Sequence, residues 1–385
     1  MPQTVFSASA CLVRLLLVAL FFGLAGCSRA PEPVKVGFVG TLTGRISDLG
    51  VGVRNGVLLA VDAVNEAGGV AGRPLELIVR DDANDPETAR RVLEELAAKG
   101  VVAVIGHTSS SMSVASLPAL DDLGLILLSP TSTSNALSGL DDLFFRVSQP
   151  HGIEAELHAR FILEELGVRS VLVVHDMANA AFTEDWISHF HPYFLARGGN
   201  PPGRLPFISG ETPVFSQLAE EVRASGAEAV IIIAGAVDTA MLCQHLALRD
   251  VQAHRLATGW AMSPELFQRG GRSVEGLYVS HVYDDQHPGE AFQAFRRAYQ
   301  DRYQSLPGFG AAYGYDAVIA LGLALERAWR EEGNFSTPAL KAALLQVESF
   351  PGLQGDFSLD RYGDPWRAYH MSRVVGREFA RVDAP

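Results

Sequence analysis

Residues 101–111 read VVAVIGHTSSS, and residues 125–134 read LILLSPTSTS. Each is an unbroken apolar run that ends abruptly in hydroxyl-bearing residues, and Ser113–Leu123 between them carries an amphipathic helical pattern. Apolar runs without polar alternation mark parallel strands covered on both faces. The two stretches therefore read as consecutive strands of one parallel sheet, each followed by a hydroxyl-rich loop at its carboxyl end. Open parallel sheets bind ligands at such loop tips. In the first loop, Thr108, Ser109 and Ser110 precede a helix, whose unpaired N–H groups and dipole favour an anion. The plainer role, an N-cap serine in a solvated turn, is compatible with that one.

The same alternation extends outward. Strands are predicted over Val34–Val39, Leu75–Val79, Val101–Ile105, Leu125–Leu128, Phe144–Val147, Val171–Val174, Ala229–Ala234 and Leu277–Ser280. Amphipathic segments fall between them at Val53–Glu66, Pro86–Lys99, Ser113–Leu123, Glu154–Leu166, Phe215–Ser225, Thr239–Arg249 and Glu290–Tyr303. Strand–helix alternation sustained this long predicts an α/β fold with parallel sheets and right-handed crossovers. The chain of 385 residues is long enough for two domains, yet no composition shift marks a linker. Turn-rich points occur at Ser148–Gly152, Tyr283–Gly289 and Pro351–Gly355.

Residues 1–27 read as an export segment. Arg14 is their only charge and precedes an apolar run, Leu15–Leu24, that is too short to span a bilayer, which takes about 20 residues. Leu24-Ala25-Gly26-Cys27 resembles a bacterial lipobox, which implies acylation of Cys27, a tether over 28–33, and a body that works outside the cytoplasm. Removing Arg14 changes the net charge from −13 to 30 minus 44, or −14. An acidic body without a basic cluster excludes nucleic acid as partner and excludes a basic membrane-binding face. Cys11 and Cys27 lie in the leader, which leaves Cys243 alone and rules out an internal disulfide framework.

Other chemistries fit the sequence poorly. Gly50-x-Gly52-x-x-x-Gly56, with Asp81-Asp82 ending the second strand, has the look of a dinucleotide fingerprint. Its glycines start about ten residues past the first strand, too far to seat a pyrophosphate in the strand's own turn. GxSxG is absent from the sequence, and no nucleophile, base and orienter are recognisable by spacing. His189 and His191 on a helix would face different ways, so no metal site is expected there. His175, Asp176 and Asp238 follow strands and either line a cleft or cap the next helix. No enzyme activity and no cofactor is expected.

Taken in order, these residues resemble the branched-chain amino-acid binding proteins of bacterial ABC importers, the type I periplasmic binding family. The motifs are Gly40-Thr41-Leu42-Thr43-Gly44, Arg54-Asn55-Gly56, Ala60–Asn65 and Ala67–Arg73. They continue with Arg80–Pro86, the two hydroxyl loops, Phe145-Arg146-Val147, Val274–Leu277 and Tyr315–Val318. The resemblance implies two lobes, each a mainly parallel sheet flanked by helices, with three hinge crossings and a ligand in the cleft. The lobes are expected over 34–149 plus 283–347 and 150–282 plus 348–382. It implies a monomeric, extracytoplasmic solute-binding lipoprotein that delivers a small polar or carboxylate-bearing molecule to a permease and an ATPase. A sensor of the same fold without transport is the alternative.

By the same resemblance, Ser110 and the loop Thr131–Thr133 hold the ligand carboxylate; with Ser109 and Thr108 from the hydroxyl loop they are expected to grip the anionic end, and Trp260 to line the opposite lobe. The acid that pairs with a ligand ammonium in leucine/isoleucine/valine binders falls at Gly259. The pocket aromatics fall at Leu49, Ala236 and about Ala180. These departures predict a different ligand, one lacking an α-ammonium group unless Asp238 supplies the missing charge. The disulfide of some family members falls at Asn84 and Ser109, so it is lost as a pair.

Overall fold

A computed structural model describes residues 31–211 and 215–382. The export segment, with Cys27, lies outside the described residues.

Two sheets form the frame. The first has the order β2-β1-β3-β4-β5, from β1 (Val34–Gly40), β2 (Leu75–Asp81), β3 (Ala103–Ile105), β4 (Ile126–Ser129) and β5 (Phe144–Arg146). All its pairings are parallel. The second has the order β12-β11-β10-β9-β8-β6-β7. Its parallel part comprises β6 (Val171–Asp176), β7 (Gly203–Phe207), β8 (Ala229–Ile233), β9 (His254–Ala257) and β10 (Tyr278–His281). Two antiparallel strands, β11 (His370–Val375) and β12 (Glu378–Arg381), extend it.

The eight strands expected from apolar runs are all present. Those that were not foreseen have little or no such run: β7 reads GRLPF, is mostly exposed and sits at a sheet edge, the one place where its proline costs no ladder bond.

The helices are α1 (Ser47–Glu66), α2 (Pro86–Ala98), α3 (Ser110–Leu123), α4 (Gly152–Arg160, continued by a π turn Phe161–Glu165) and α5 (Ala180–Ala196). Then come α6 (Phe215–Ser225), α7 (Ala236–Leu248), α8 (Pro264–Gly270), α9 (Glu290–Tyr303), α10 (Phe309–Glu332) and α11 (Thr337–Gln346). Helix α3 begins a turn earlier than the hydrophobic pattern suggests, because a cap and not an apolar residue starts it. Ser109 is that cap, accepting the Met112 N–H at 3.4 Å, and Asp85 caps α2 through the Thr88 N–H at 2.8 Å.

The chain leaves the first sheet after β5, fills most of the second, and returns after β10. Helix α10 then packs against α1 before the chain goes back for β11. This is the two-lobed arrangement with three crossings.

The glycines of α1 serve this packing and not a nucleotide. A Cβ at Gly56 would stand 1.9 Å from the Ala311 carbonyl oxygen, and one at Gly50 would stand 1.9 Å from that of Thr41. Gly52, by contrast, has nothing within 4 Å. Gly56→Ala should therefore force α1 from α10 and lower the unfolding free energy by about 1–3 kcal/mol in a urea titration. Gly52→Ala should be neutral or stabilising through helix propensity. Equal midpoints for the two variants would contradict the close helix contact.

Candidate functional site

The two hydroxyl loops lie side by side, held from beneath by a chain of buried polar groups. His107 Nδ1 is 2.8 Å from Asp82 Oδ2, and its Nε2 is 2.9 Å from Ser116 Oγ; all three side chains are fully buried. A serine, a histidine and an aspartate do converge here, which spacing did not reveal. With no exposed surface the serine can meet no substrate, so the group is a strut. Asp82 also accepts from Thr41 Oγ1 at 2.8 Å and from the Asn84 N–H at 3.0 Å. The His107 carbonyl accepts from Ser129 Oγ at 2.8 Å and Ser132 Oγ at 3.4 Å. Buried Arg146 completes the support, donating to the carbonyls of Ser132 at 3.3 Å and Ser134 at 2.8 Å while paired with Asp364 at 2.7 Å.

This scaffolding sorts the predicted grip residues. Thr131 Oγ1 donates to the Thr108 carbonyl at 2.9 Å, so its hydrogen is engaged within the loops. Ser110 Oγ accepts the N–H groups of Thr133 and Ser134, both at 3.2 Å, which orients its own hydrogen away from them. Thr108 Oγ1 accepts from the Thr41 N–H at 3.3 Å, and Thr133 Oγ1 lies 3.4 Å from His151 Nδ1. Ser109 differs: it caps α3 and reaches Asn84 Oδ1 at 3.5 Å, so the two positions of the absent disulfide are neighbours.

Between the lobes these loops border a cavity of about 660 Å³, open mouth included. Thr108, Ser110, Thr131, Thr133 and Leu49 line it from the first lobe, and Trp260 lines it from the second. Ser109, Ala236 and Asp238 do not. Ala236 is buried at the start of α7, beneath the cavity wall. Asp238 is turned toward the other lobe, where its carboxylate pairs with Arg45 at 2.9 Å and also accepts from Ser209 Oγ. His175 and Asp176 are likewise absent from the lining; Asp176 accepts the Ala178 N–H at 2.9 Å as a cap. Aromatic lining is nevertheless abundant, supplied from other positions by Phe182, Trp260, Tyr283, Phe309, Tyr313 and Tyr369. Phe182 and Trp260 meet edge to face at 5.7 Å.

Beside Gly259, where the resemblance puts an acid, stands the carboxylate of Glu154 on α4. Its Oε1 accepts the Gly259 N–H at 3.1 Å and the Ser280 hydroxyl at 2.5 Å, and the residue lines the cavity while only 2% exposed. A side chain at 259 would begin 2.9 Å from the Ser280 carbonyl oxygen, so a glycine there and an acid at 154 go together. Burial pushes the Glu154 carboxyl up to about 7, against the lowering pull of Ser280 and Gly259. Burial also pushes His158, 2.7 Å from Ser280 Oγ, down to about 3, so it is neutral and no counter-ion to Glu154. The sequence carried one signal: Glu154 shares the buried face of α4 with Ala155, His158 and Ile162.

The lobes touch at the rim. Besides Arg45 and Asp238, Asn84 Nδ2 donates to the Ala178 carbonyl at 3.0 Å. The Ser111 N–H donates to Asn179 Oδ1 at 3.0 Å, and the Ala181 N–H to Ser111 Oγ at 3.1 Å.

Comparisons with known proteins agree with the two-lobed fold. Residues 33–378 match the profile of the periplasmic binding protein family. The leucine-, isoleucine-, valine-, threonine- and alanine-binding protein of Pseudomonas aeruginosa is 23% identical over 357 residues, covering 92% of each chain. A leucine binding protein from Thermotoga maritima superposes with TM-score 0.81 at 25% identity, covering 91% of this chain and 98% of its own. An ABC transporter substrate-binding protein from Desulfitobacterium hafniense, solved with Leu, does so with TM-score 0.70 at 25% identity, covering 91% and 100%. These relatives are binding proteins, not enzymes.

Glu154 has a measurable signature. Its folded value is raised above the ordinary 4.5, so the native state holds a proton that the unfolded chain has released between pH 4.5 and about 7. Stability from this group is present below pH 4.5 and is lost as pH rises to about 7, by a few kcal/mol at most. Glu154→Gln should flatten that part of the Tm-versus-pH curve of the ligand-free protein; parallel curves would place the titration elsewhere.

Proposed function

The chain belongs to the periplasmic binding protein family, and from that premise we propose that it is the solute-binding subunit of a bacterial ABC importer. In this reading it traps one small zwitterion of the amino-acid class between its lobes. The observation that carries the reading is the polarity of the cavity: hydroxyl groups on one side, a buried carboxylate on the other, and an aromatic wall between. Ser110 and Thr133, with Thr108 beside them, receive the ligand carboxylate, to which charge-assisted hydrogen bonds form most strongly. Glu154 pairs with the ligand ammonium. A buried, unpaired carboxylate holds its proton near neutrality, and an arriving cation displaces that proton by restoring the favourable charged form. The apolar part of the ligand lies against Leu49, Phe182 and Trp260. The carboxylate that pairs with the ammonium thus comes from α4 and not from position 259.

Closure follows by population shift. A solute that touches both lobes stabilises the closed form by the contacts it makes only there, and the rim pairs such as Arg45 with Asp238 form at the same time. The lipid on Cys27 would keep the monomeric body at the extracytoplasmic face of the membrane, within reach of the permease.

The test is a calorimetric titration of the delipidated body with leucine, isoleucine, valine and phenylalanine, together with 4-methylpentanoate, which lacks the ammonium. At least one amino acid should bind. Ser110→Ala and Thr133→Ala should each weaken it at least tenfold, about 1.4 kcal/mol. The analogue without ammonium should bind at least tenfold more weakly than leucine, and amino-acid affinity should rise with pH up to about 7. Unchanged curves for both variants would refute the site, and equal affinity for analogue and amino acid would refute the role of Glu154. In cells, Cys27→Ser should move the protein from the membrane fraction to the soluble one; retention at the membrane would refute the anchor.

A further inference from the structure

Beside the cavity, at the seam between the lobes, His151, Asp185 and His189 converge from two segments. His151 lies just after the first crossing, while Asp185 and His189 stand one turn apart on α5 and share a face. His151 Nε2 is 3.1 Å from Asp185 Oδ2, and His189 Nδ1 is 3.4 Å from Asp185 Oδ1. One ligating atom from each residue lies within 4.8 Å of the other two. Two metal–ligand bonds of about 2.1 Å at a tetrahedral angle set their donor atoms about 3.4 Å apart, which the two histidine–Asp185 distances match; the wider separation closes when His189 turns inward. His151 Nε2 supplies an independent indication. It is fully buried, and its 3.1 Å contact with the Asp185 carboxylate departs from the line that a good hydrogen bond requires.

We propose that His151, Asp185 and His189 form a site for a divalent transition-metal ion of the Zn²⁺ type. Two imidazoles and one carboxylate favour Zn²⁺, Co²⁺ or Ni²⁺ over Mg²⁺ or Ca²⁺, which prefer all-oxygen shells. The carboxylate is already oriented: Asp185 Oδ2 accepts from Ser134 Oγ at 3.0 Å, the Asn135 N–H at 2.6 Å and Asn135 Nδ2 at 3.3 Å. Such outer hydrogen bonds are what hold a metal ligand in place. The His189 ring touches the Asp185 carbonyl at 2.9 Å and Ser188 Oγ at 3.4 Å, and turns from these to ligate. Its side chain is 39% exposed, which leaves a route for the ion and a fourth position for water.

An ion here reaches the cavity through one bond. Metal on Nε2 places the His151 proton on Nδ1, which faces Thr133 Oγ1 at 3.4 Å. The threonine oxygen then accepts, and its own hydrogen is free to point into the cavity. The site stands or falls separately from the solute proposed above, since metal alone is the probe.

The experiment uses the chain without an affinity tag, stripped with EDTA and titrated with Zn²⁺ by calorimetry and with Co²⁺ by visible absorption. One equivalent should bind, and Co²⁺ should show the intense bands of a four- or five-coordinate ion. His189→Gln and Asp185→Asn should each weaken binding at least tenfold, whereas His191→Gln, exposed on the same helix, should leave it unchanged. No stoichiometric binding, or equal binding by wild type and His189→Gln, overturns the assignment.

Discussion

The hydrogen-bonded line from Asp82 through His107 to Ser116 is the constraint on which the cleft depends. It joins the end of β2, the loop after β3 and the body of α3, and each member is fully buried. Removing one partner would strand the others without water, a penalty of about 1–3 kcal/mol for each unsatisfied group. The same histidine offers its carbonyl to Ser129 and Ser132, so the second hydroxyl loop takes its position from the first. Loop tips are ordinarily the mobile parts of an α/β fold. Here two of them are fixed against a common buried group, and a preorganised set of donors is what allows an anion to leave water without a large loss.

The opposite wall follows a different logic. Glu154 approaches the cavity from a helix and is held by the Gly259 N–H, in the turn after β9, and the Ser280 hydroxyl, on β10. Two polar contacts do not offset full burial, so the carboxyl is poised near neutral pH and not at its ordinary value. That state has little structural use in the empty cleft and a direct use when a cation arrives. Hydroxyls fixed on one lobe and a poised acid on the other thus line the same cavity between the lobes.

Much of the frame was legible in the chain. The eight apolar runs each became a strand, and helix caps such as Asp85 and Ser109 stand where their side chains can accept N–H groups. What escaped was whatever depends on context and not on pattern. The exposed edge strand β7 has no apolar run to announce it. Helix α10 is rich in glycine and alanine because it must approach α1 closely, and that composition hides its amphipathic face. At the site, the loops carrying Thr108, Ser110, Thr131 and Thr133 were found from hydroxyls following strands, and Trp260 and Leu49 from family position. Ala236 and Asp238 were misplaced, because a position inherited from an alignment says nothing about which way a side chain turns. Asp238 turned to the cation at Arg45.

By itself, then, the sequence determined the parallel α/β frame, the pairing of the two hydroxyl loops and the acidic character of the body. Those follow from short-range chemistry: apolar runs, capping residues and net charge act over a few neighbours and can be read in order. Tertiary structure alone decided which hydroxyl hydrogens are already engaged, that Glu154 stands where Gly259 has no side chain, and that His151 meets Asp185 and His189. Each of these joins residues far apart in the chain, and their distances are set by the packing of whole sheets and helices, which no local pattern encodes.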